Sequence, residues 1–381
     1  MKIHFLSISF VLLCFSCDAN TENDAHKDKH ISCILERDTI TAPYFLVNGF
    51  YENDSGIYFY GLKFDSTNYT IYLYKENAER HFEFDSYIPL SRQYTDSVGC
   101  YVSQLVFINM DSIIIYHENN IALFSVQQDS ILKIFYHSRD DNWYSFIARG
   151  NTFLRWNKKR NALPLIIYRW DNLDMRTWRG DTEFSGEFSF EKDTFSFFPV
   201  KLPYYPYNTS IADYGSTDQF FAFNGDTFAF GFQITPVTYL YNAENHHTDS
   251  LFLQNSMYIP LQERDTARIR EISVLNYLRE ASLEHNFYTA IVYDEYNNVY
   301  YRFFDKAMPK RNAEGLLNTW EDKEFGLTVL DNNLQIIGDV CWSWEDHYFI
   351  IQYPTSKGLY GYIHLDGEKS IIYKRTLVYE K

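Results

Sequence analysis

Cysteine is scarce in this sequence, and its spacing excludes a fold built on disulfides. Five cysteines occur among 381 residues, and Cys14 and Cys17 lie near the N-terminus. The others, Cys33, Cys100 and Cys341, are an odd number without a close pair, unlike the framework of a small disulfide-rich domain. A bridge between Cys33 and Cys341 is permitted outside the cytoplasm, but buried thiols are the commoner alternative.

The chain has fewer basic than acidic residues, and its sequence contains no familiar catalytic motif. Its 34 Lys and Arg against 50 Asp and Glu give a formal net charge of −16. This charge repels phosphate backbones, so we expect no nucleic-acid partner. No GxSxG elbow, Walker loop or GxGxxG run occurs, and the adjacent His246 and His247 would point to opposite faces of a strand. We therefore predict no cofactor and no metal, and nothing positive indicates an enzyme.

Long hydrophobic runs are missing except at the N-terminus. The stretch from Ile3 to Phe15 is apolar but shorter than the roughly 20 residues that a membrane-spanning helix needs. It is typical of a signal peptide, and the Ser16-Cys17 pair predicts lipoprotein processing that removes residues 1–16 and lipidates Cys17. The alternative is an ordinary secreted protein that is cut close to the same place.

A short tether is predicted to follow the lipidated cysteine. Residues 17–30 are polar and acidic, too poor in apolar side chains to bury a core, whereas residues 31–381 have the composition of a folded domain. Several acyl chains on Cys17 would give stable anchoring. We therefore expect an outer-membrane lipoprotein, on the cell surface or on the periplasmic face, whose first partner is the membrane through its lipid anchor.

Aromatic residues are abundant and indicate an all-β fold. Tyr, Phe and Trp make up 19% of the chain, and such residues favour pleated, half-buried surfaces. Short strands separated by turn residues recur in groups of about four, most clearly over 105–137, while 142–205 holds one or two groups with unclear boundaries. Radial stacking would bury the faces of such groups, which predicts a single β-propeller of six four-stranded blades, with seven blades or a pair of β-sandwiches as alternatives.

One segment departs from the strand pattern. Ile269, Ile272, Leu275 and Leu278 follow one another at intervals of three residues, which predicts a short helical insertion over Thr266–Glu284.

The strands after this segment resemble a known family. The residues that carry the resemblance are Tyr288, Tyr293-Asp294-Glu295-Tyr296, Val299-Tyr300-Tyr301-Arg302-Phe303, Leu327-Thr328-Val329-Leu330-Asp331 and Gly338. They are similar to uncharacterised Bacteroidota lipoproteins that share a domain of unknown function and are expected to form six-bladed propellers. The resemblance implies a lipoprotein propeller and brings no established activity.

The same stretch supplies the candidate ligand-binding residues. Asn297-Asn298 suits a tight hairpin turn, and a two-residue loop would place Tyr293 opposite Arg302, with Glu295 diagonal to it and Asp294 facing Tyr301. A three-residue loop would place Asp294 opposite Arg302 instead. Either register puts carboxylates near a guanidinium and a phenol, a group able to hydrogen-bond a sugar or a peptide terminus. The candidates are Asp294, Glu295, Tyr301 and Arg302, although a purely structural ion pair is the favoured alternative.

These features favour a membrane-anchored recognition propeller for a glycan, a peptide or an envelope protein. The alternative is a glycan-active hydrolase or lyase with its site in the propeller mouth, and a third possibility is a subunit of an outer-membrane assembly. Tryptophans interleaved with charged residues suit sugar rings, although most are expected to be packing residues. They are Trp143, Trp170, Trp178, Trp342 and Trp344.

Overall fold

The fold is taken from a computed structural model. It describes residues 31–45, 47–65, 68–90, 102–117, 120–136, 144–146, 154–169, 185–200, 219–233, 235–252, 283–319, 322–343, 352–365 and 369–379. Within these ranges, no helix is both long and apolar enough to cross a membrane. The predicted helix at Thr266–Glu284 lies almost wholly outside them, as do Cys17 and the tether.

Twenty-four strands form six four-stranded antiparallel sheets, which we number as blades 1 to 6. The first described strand is β1 (Ile31–Thr41), which belongs to blade 6. Blades 1 and 2 comprise β2 (Val47–Asn53), β3 (Gly56–Asp65), β4 (Asn68–Glu76), β5 (Phe82–Leu90), β6 (Val102–Phe107), β7 (Ser112–His117), β8 (Asn120–Ser125) and β9 (Ser130–Tyr136).

The remaining blades follow in chain order. Blades 3 and 4 comprise β10 (Tyr144–Phe146), β11 (Leu163–Arg169), β12 (Ser185–Ser189), β13 (Thr194–Phe197), β14 (Gln219–Asn224), β15 (Thr227–Phe232), β16 (Thr235–Asn242) and β17 (His247–Phe252). Blades 5 and 6 comprise β18 (Phe287–Asp294), β19 (Val299–Asp305), β20 (Glu324–Leu330), β21 (Ile336–Ser343), β22 (Tyr353–Thr355), β23 (Gly358–His364) and β24 (Lys369–Tyr379).

The ring is closed by pairing the two ends of the folded domain. Strand β1 pairs antiparallel with β24 along its whole length, from Ile31 opposite Tyr379 to Thr41 opposite Lys369. Blade 6 therefore takes three strands from the C-terminus and its outer strand from the N-terminus. The structure confirms the predicted all-β propeller with six blades, and the described residues within 142–205 form one blade.

Neighbouring blades are held together by aromatic side chains. Between blades 6 and 1, the ring of Phe50 lies 5.4 Å from that of Tyr360, and the rings of Phe59 and Tyr362 stack at 4.6 Å. Similar apolar clusters lie between blades 1 and 2, 4 and 5, and 5 and 6. Burial of each such side chain stabilises the fold by roughly 1.5–3 kcal/mol, which accounts for the high aromatic content.

The first strand of each blade is innermost and runs along the central channel. Neighbouring first strands contact one another, as β14 and β22 both do with β18. All first strands run in the same direction, so the turns from first to second strand gather at one end of the channel, which we call the mouth. The opposite end is called the distal end. Ile31 lies at the mouth end, because it pairs with Tyr379 and β24 ends on the side where the β22–β23 turn lies.

The possible Cys33–Cys341 bridge is not formed. Both residues belong to the described part of the chain, and both are thiols. Burial raises the pKa of the Cys341 thiol to about 11, so this group is protonated at neutral pH. A protonated thiol is a poor nucleophile for disulfide exchange.

Candidate functional site

A cavity of about 90 Å³ opens at the mouth and is lined by five of the six blades. At roughly 10–15 Å³ per water, it holds about six to nine waters, comparable to most of one sugar ring. Its buried apolar lining consists of Phe50, Tyr60, Val106, Phe107 and Leu154. Its polar and aromatic lining includes Tyr51, Glu52, Arg155, Trp156, Lys158, Glu295 and Tyr296.

Residues 154–162, here called the crossing segment, reach from blade 3 toward the turns of two other blades. Asn157 Nδ2 donates to the Gly225 carbonyl of blade 4 at 2.7 Å, and the Asn157 backbone pairs with Ala162. Arg160 bonds Glu187 of its own blade at 2.7 Å and Asp226 of blade 4 at 3.0 Å. These contacts with blades 3 and 4 fix the crossing segment beside the channel. Its other side chains are therefore held at the mouth.

Glu295 is joined to the crossing segment by an ion pair. Arg155 Nη2 donates to Glu295 Oε1 at 2.7 Å, and Arg155 Nη1 donates to the Tyr293 carbonyl at 3.2 Å. The two charged side chains are 30% and 51% exposed, so water reaches both of them. The pair links blades 3 and 5 across the mouth and remains accessible to a ligand.

Glu52 is engaged by residues of two other blades. The Ser356 amide of blade 6 donates to Glu52 Oε2 at 2.8 Å, and the Ser356 hydroxyl bonds Glu52 Oε1. The Tyr296 phenol of blade 5 lines the same cavity and interacts electrostatically with Glu52. Burial, followed by the interaction with Glu52, raises the pKa of Tyr296, which keeps the phenol protonated.

Lys158 is the fourth charged residue of the cavity. It is exposed, and within the described ranges it forms no ion pair and no side-chain hydrogen bond. Trp156 lies between Arg155 and Lys158 in sequence, and its ring is 6.1 Å from that of Phe190. The cavity therefore combines two carboxylates, two cationic groups and an indole.

Asp294 and Tyr301 of the predicted set are buried beside the mouth and bonded internally. Asp294 Oδ1 accepts hydrogen bonds from the amides of Tyr296 and Asn297 at 2.9 and 3.1 Å. Asp294 Oδ2 accepts from the Tyr301 hydroxyl and from Asn297 Nδ2, both at 2.8 Å. These bonds shape the turn, and Asp294 and Tyr301 are only 1% and 2% exposed.

Arg302 is also buried, and neither predicted register of the hairpin is observed. Four residues, 295–298, separate the last pair, Asp294 and Val299, which places Arg302 opposite Ile291. The additional residues are accommodated because Asp294 caps the turn and Asn298 adopts a left-handed φ of 59°. Arg302 donates to the Thr235 and Pro236 carbonyls of blade 4 at 2.6 Å each, so it links blades 4 and 5.

The other sequence candidates lie elsewhere or outside the described residues. Trp143, Trp170, Trp178 and Trp344 are not among the described residues. Trp342 packs against the Arg375 guanidinium, whose carbon is 4.6 Å from the ring centroid. His246 bonds the Tyr241 hydroxyl at 2.9 Å. Within the ranges that the structure describes, no three His, Cys, Asp or Glu side chains are grouped so that they could hold a metal.

Sequence reasoning missed most of the cavity lining. Of the four predicted residues, only Glu295 lines the cavity, whereas Glu52, Arg155, Trp156 and Lys158 were not singled out. Glu52 was missed because the strand signals are clearest over 105–137 and do not delimit β2. Position in the blade could have revealed these residues. Tyr51-Glu52 and Tyr293-Asp294-Glu295 both lie where the first strand of a blade ends.

Comparison with known proteins places the chain near a family without an assigned activity. A domain of unknown function, DUF4221, matches residues 166–339. The crystal structure of a DUF4221 family member from Bacteroides vulgatus is 15% identical, with a TM-score of 0.71, and the match covers 93% of this chain and 100% of that chain. A Bacteroides fragilis protein predicted to be exported is 10% identical with a TM-score of 0.44, covering 91% and 96%. No curated protein matches the chain.

Residues 166–339 are thus similar to DUF4221, and the predicted resemblance to a propeller family of unknown function is confirmed. The likeness to the Bacteroides vulgatus structure shows a shared fold and identifies no ligand.

Proposed function

We propose that this protein is a lipid-anchored, extracytoplasmic recognition propeller that binds its ligand at the mouth of the channel. One observation carries the proposal: five blades contribute to one cavity that combines charged groups and aromatic rings over an apolar base. Concave sites with a few placed polar groups are the usual form of ligand pockets. The ligand is a glycan, a peptide or a segment of an envelope protein.

The mouth suits recognition because its groups are positioned before a ligand arrives. Glu52 and Glu295 are each held by residues of other blades, and the crossing segment is fixed at Asn157 and Arg160. Binding to such a surface requires little ordering of side chains, which favours affinity. Trp156 adds a flat apolar face of the kind that packs against sugar rings.

The anchor is consistent with a ligand of the cell envelope. Lipidation at Cys17 rests on the sequence alone, and residues 17–30 would connect this cysteine to Ile31. Because Ile31 lies at the mouth end, a lipidated chain would carry its ligand site on the side from which the tether leaves. We propose location at the outer membrane, on either face.

The proposal is tested by binding of the chain from residue 17, with Cys17→Ser to keep it soluble, to arrays of glycans and envelope peptides. The matched variants are Trp156→Ala and Arg155→Met at the mouth and Glu314→Gln on an exposed distal loop. We expect both mouth variants to lose binding at an unchanged unfolding midpoint, and the distal variant to bind as the parent does. Equal binding by all of them would contradict the proposal.

A glycan-active hydrolase or lyase is the second candidate, because two carboxylates, those of Glu52 and Glu295, line the same cavity. Glycoside hydrolysis commonly uses such a pair, one carboxyl group as acid and the other as base or nucleophile. The same array distinguishes the two functions by mass analysis of the recovered ligand. Shortened or unsaturated products that disappear in Glu52→Gln would replace the recognition proposal with the enzyme.

A further inference from the structure

The charged groups of the cavity are not equally engaged. Glu52 accepts hydrogen bonds from the amide and the hydroxyl of Ser356, and Glu295 pairs with Arg155. Lys158 is the one charged group of the lining that, in the described part of the chain, has neither an ion pair nor a side-chain hydrogen bond. The cavity therefore presents an uncommitted positive charge on a protein whose formal net charge is −16.

The crossing segment holds this lysine at the mouth. Lys158 directly follows Asn157, whose side chain and backbone are both bonded, and it precedes Lys159 and Arg160, which both pair with Asp226. Lys159 Nζ lies 2.5 Å from Asp226 Oδ2, so the neighbouring cation is committed to blade 4. Lys158 is free to meet a ligand, while its backbone is fixed on both sides.

The Arg155–Glu295 pair adds a second cation that a ligand can reach. Both side chains are partly exposed, and exposed ion pairs of this kind contribute only about 0–1 kcal/mol. A carboxylate from a ligand could therefore replace Glu295 on Arg155 at little cost. In the structure the Glu295 carboxylate occupies the position that a ligand carboxylate would take.

The indole between the two cations indicates the rest of the ligand. Trp156 lines the cavity together with Tyr51 and Tyr296, and the cavity is about the size of most of one sugar ring. Aromatic faces pack on the apolar C–H face of a sugar, while cations bind carboxylates by charge-assisted hydrogen bonds.

We infer that the mouth binds a sugar that bears a carboxylate, such as a terminal uronic acid residue, with Arg155 and Lys158 on the carboxylate and Trp156 on the ring. This inference rests on the proposed function, since it names the ligand class of the same cavity. Glu52, which is already hydrogen-bonded, is left to accept from sugar hydroxyls.

The test is calorimetric titration of the Cys17→Ser chain with two trisaccharides that differ only in a terminal glucuronic acid or glucose. Lys158→Gln is compared with Lys192→Gln, which changes an exposed lysine at the outer turn of blade 3. We expect the acidic trisaccharide to bind at least tenfold more tightly than the neutral one. Lys158→Gln should remove most of that preference, and Lys192→Gln should leave it unchanged.

Other outcomes separate the two proposals. If both trisaccharides bind equally and Trp156→Ala abolishes both, the mouth is the ligand site and the inferred carboxylate selectivity is wrong. If neither trisaccharide binds but a peptide with a free C-terminal carboxylate binds in a Lys158-dependent way, the ligand is a peptide and the sugar inference is overturned. Binding of either trisaccharide that Trp156→Ala and Lys158→Gln leave unchanged would overturn the mouth proposal itself.

Discussion

The two ends of the β18–β19 hairpin differ in how their buried carboxylates are hydrogen-bonded. At the mouth, buried Asp294 accepts four hydrogen bonds from the turn and from Tyr301. At the distal end, Asp305 and Lys323 are buried together, and Asp305 Oδ1 has no hydrogen-bond partner among the residues that the structure describes. Burial raises the pKa of Asp305 to about 6 and lowers that of Lys323 to about 8. A buried charge therefore stabilises the fold when its hydrogen bonds are formed, and burial alone does not decide its effect.

Removal of the Asp294 carboxylate is expected to have the largest effect. Asp294→Ala would leave the Tyr301 hydroxyl and two turn amides without their acceptor, so we expect a loss of about 2–4 kcal/mol in the free energy of unfolding. Urea unfolding measures it, with exposed Asp54→Ala as the control. A loss equal to that of the control would mean that the turn does not depend on Asp294.

Removal of the distal carboxylate, that of Asp305, should have the opposite effect on stability. The raised pKa means that the folded state binds more protons than the unfolded state between about pH 4 and pH 6, so stability falls as pH rises through this window. Asp305→Asn cannot ionise and should therefore be more stable than the parent by about 1–2 kcal/mol at pH 7.5, with little difference at pH 4.

Urea unfolding at both pH values tests this expectation, with Asp54→Asn as the exposed control. A destabilised Asp305→Asn at pH 7.5 would contradict it, because attraction to Lys323 would then outweigh the cost of burial.

Two glutamines sharpen the contrast at the distal end. Gln219 begins β14 and Gln352 precedes β22, and both are buried. Neither side-chain amide has a hydrogen-bond partner within the described ranges. Because an unsatisfied buried amide costs free energy that an apolar group of similar shape does not, Gln219→Leu should stabilise the fold by about 1 kcal/mol. Thermal unfolding checks this, with Gln128→Leu on an exposed turn as the control. A destabilised Gln219→Leu would show that the amide has a partner in solution.

The smallest effect is expected for the Arg155–Glu295 pair at the mouth. A double-mutant cycle with Arg155→Met and Glu295→Gln should give a coupling energy below about 1 kcal/mol in unfolding free energy, because the pair is partly exposed. A coupling of several kcal/mol would make the pair structural and would weaken the argument that a ligand can displace Glu295.

The fold was predictable from sequence because strand and turn signals recur about every ten residues, as over 105–137. Blade 3 was hard to delimit because its first connection includes the crossing segment, which bonds blades 4 and 5 as well as its own blade. Only Glu295 of the predicted site lines the cavity. The sequence suggested that Arg302 binds a ligand. Its guanidinium instead donates to carbonyls of another blade, 66 and 67 residues away. Local sequence patterns do not reveal contacts at that separation.

Ligand binding at the mouth is measured by hydrogen–deuterium exchange of the Cys17→Ser chain with and without its selected ligand. We expect slower amide exchange in the crossing segment, residues 154–162, and in the turn at 295–298, with no change in the exposed distal loop at 310–319. Protection of the distal loop or of the outer strands, with the mouth unaffected, would contradict binding at the mouth.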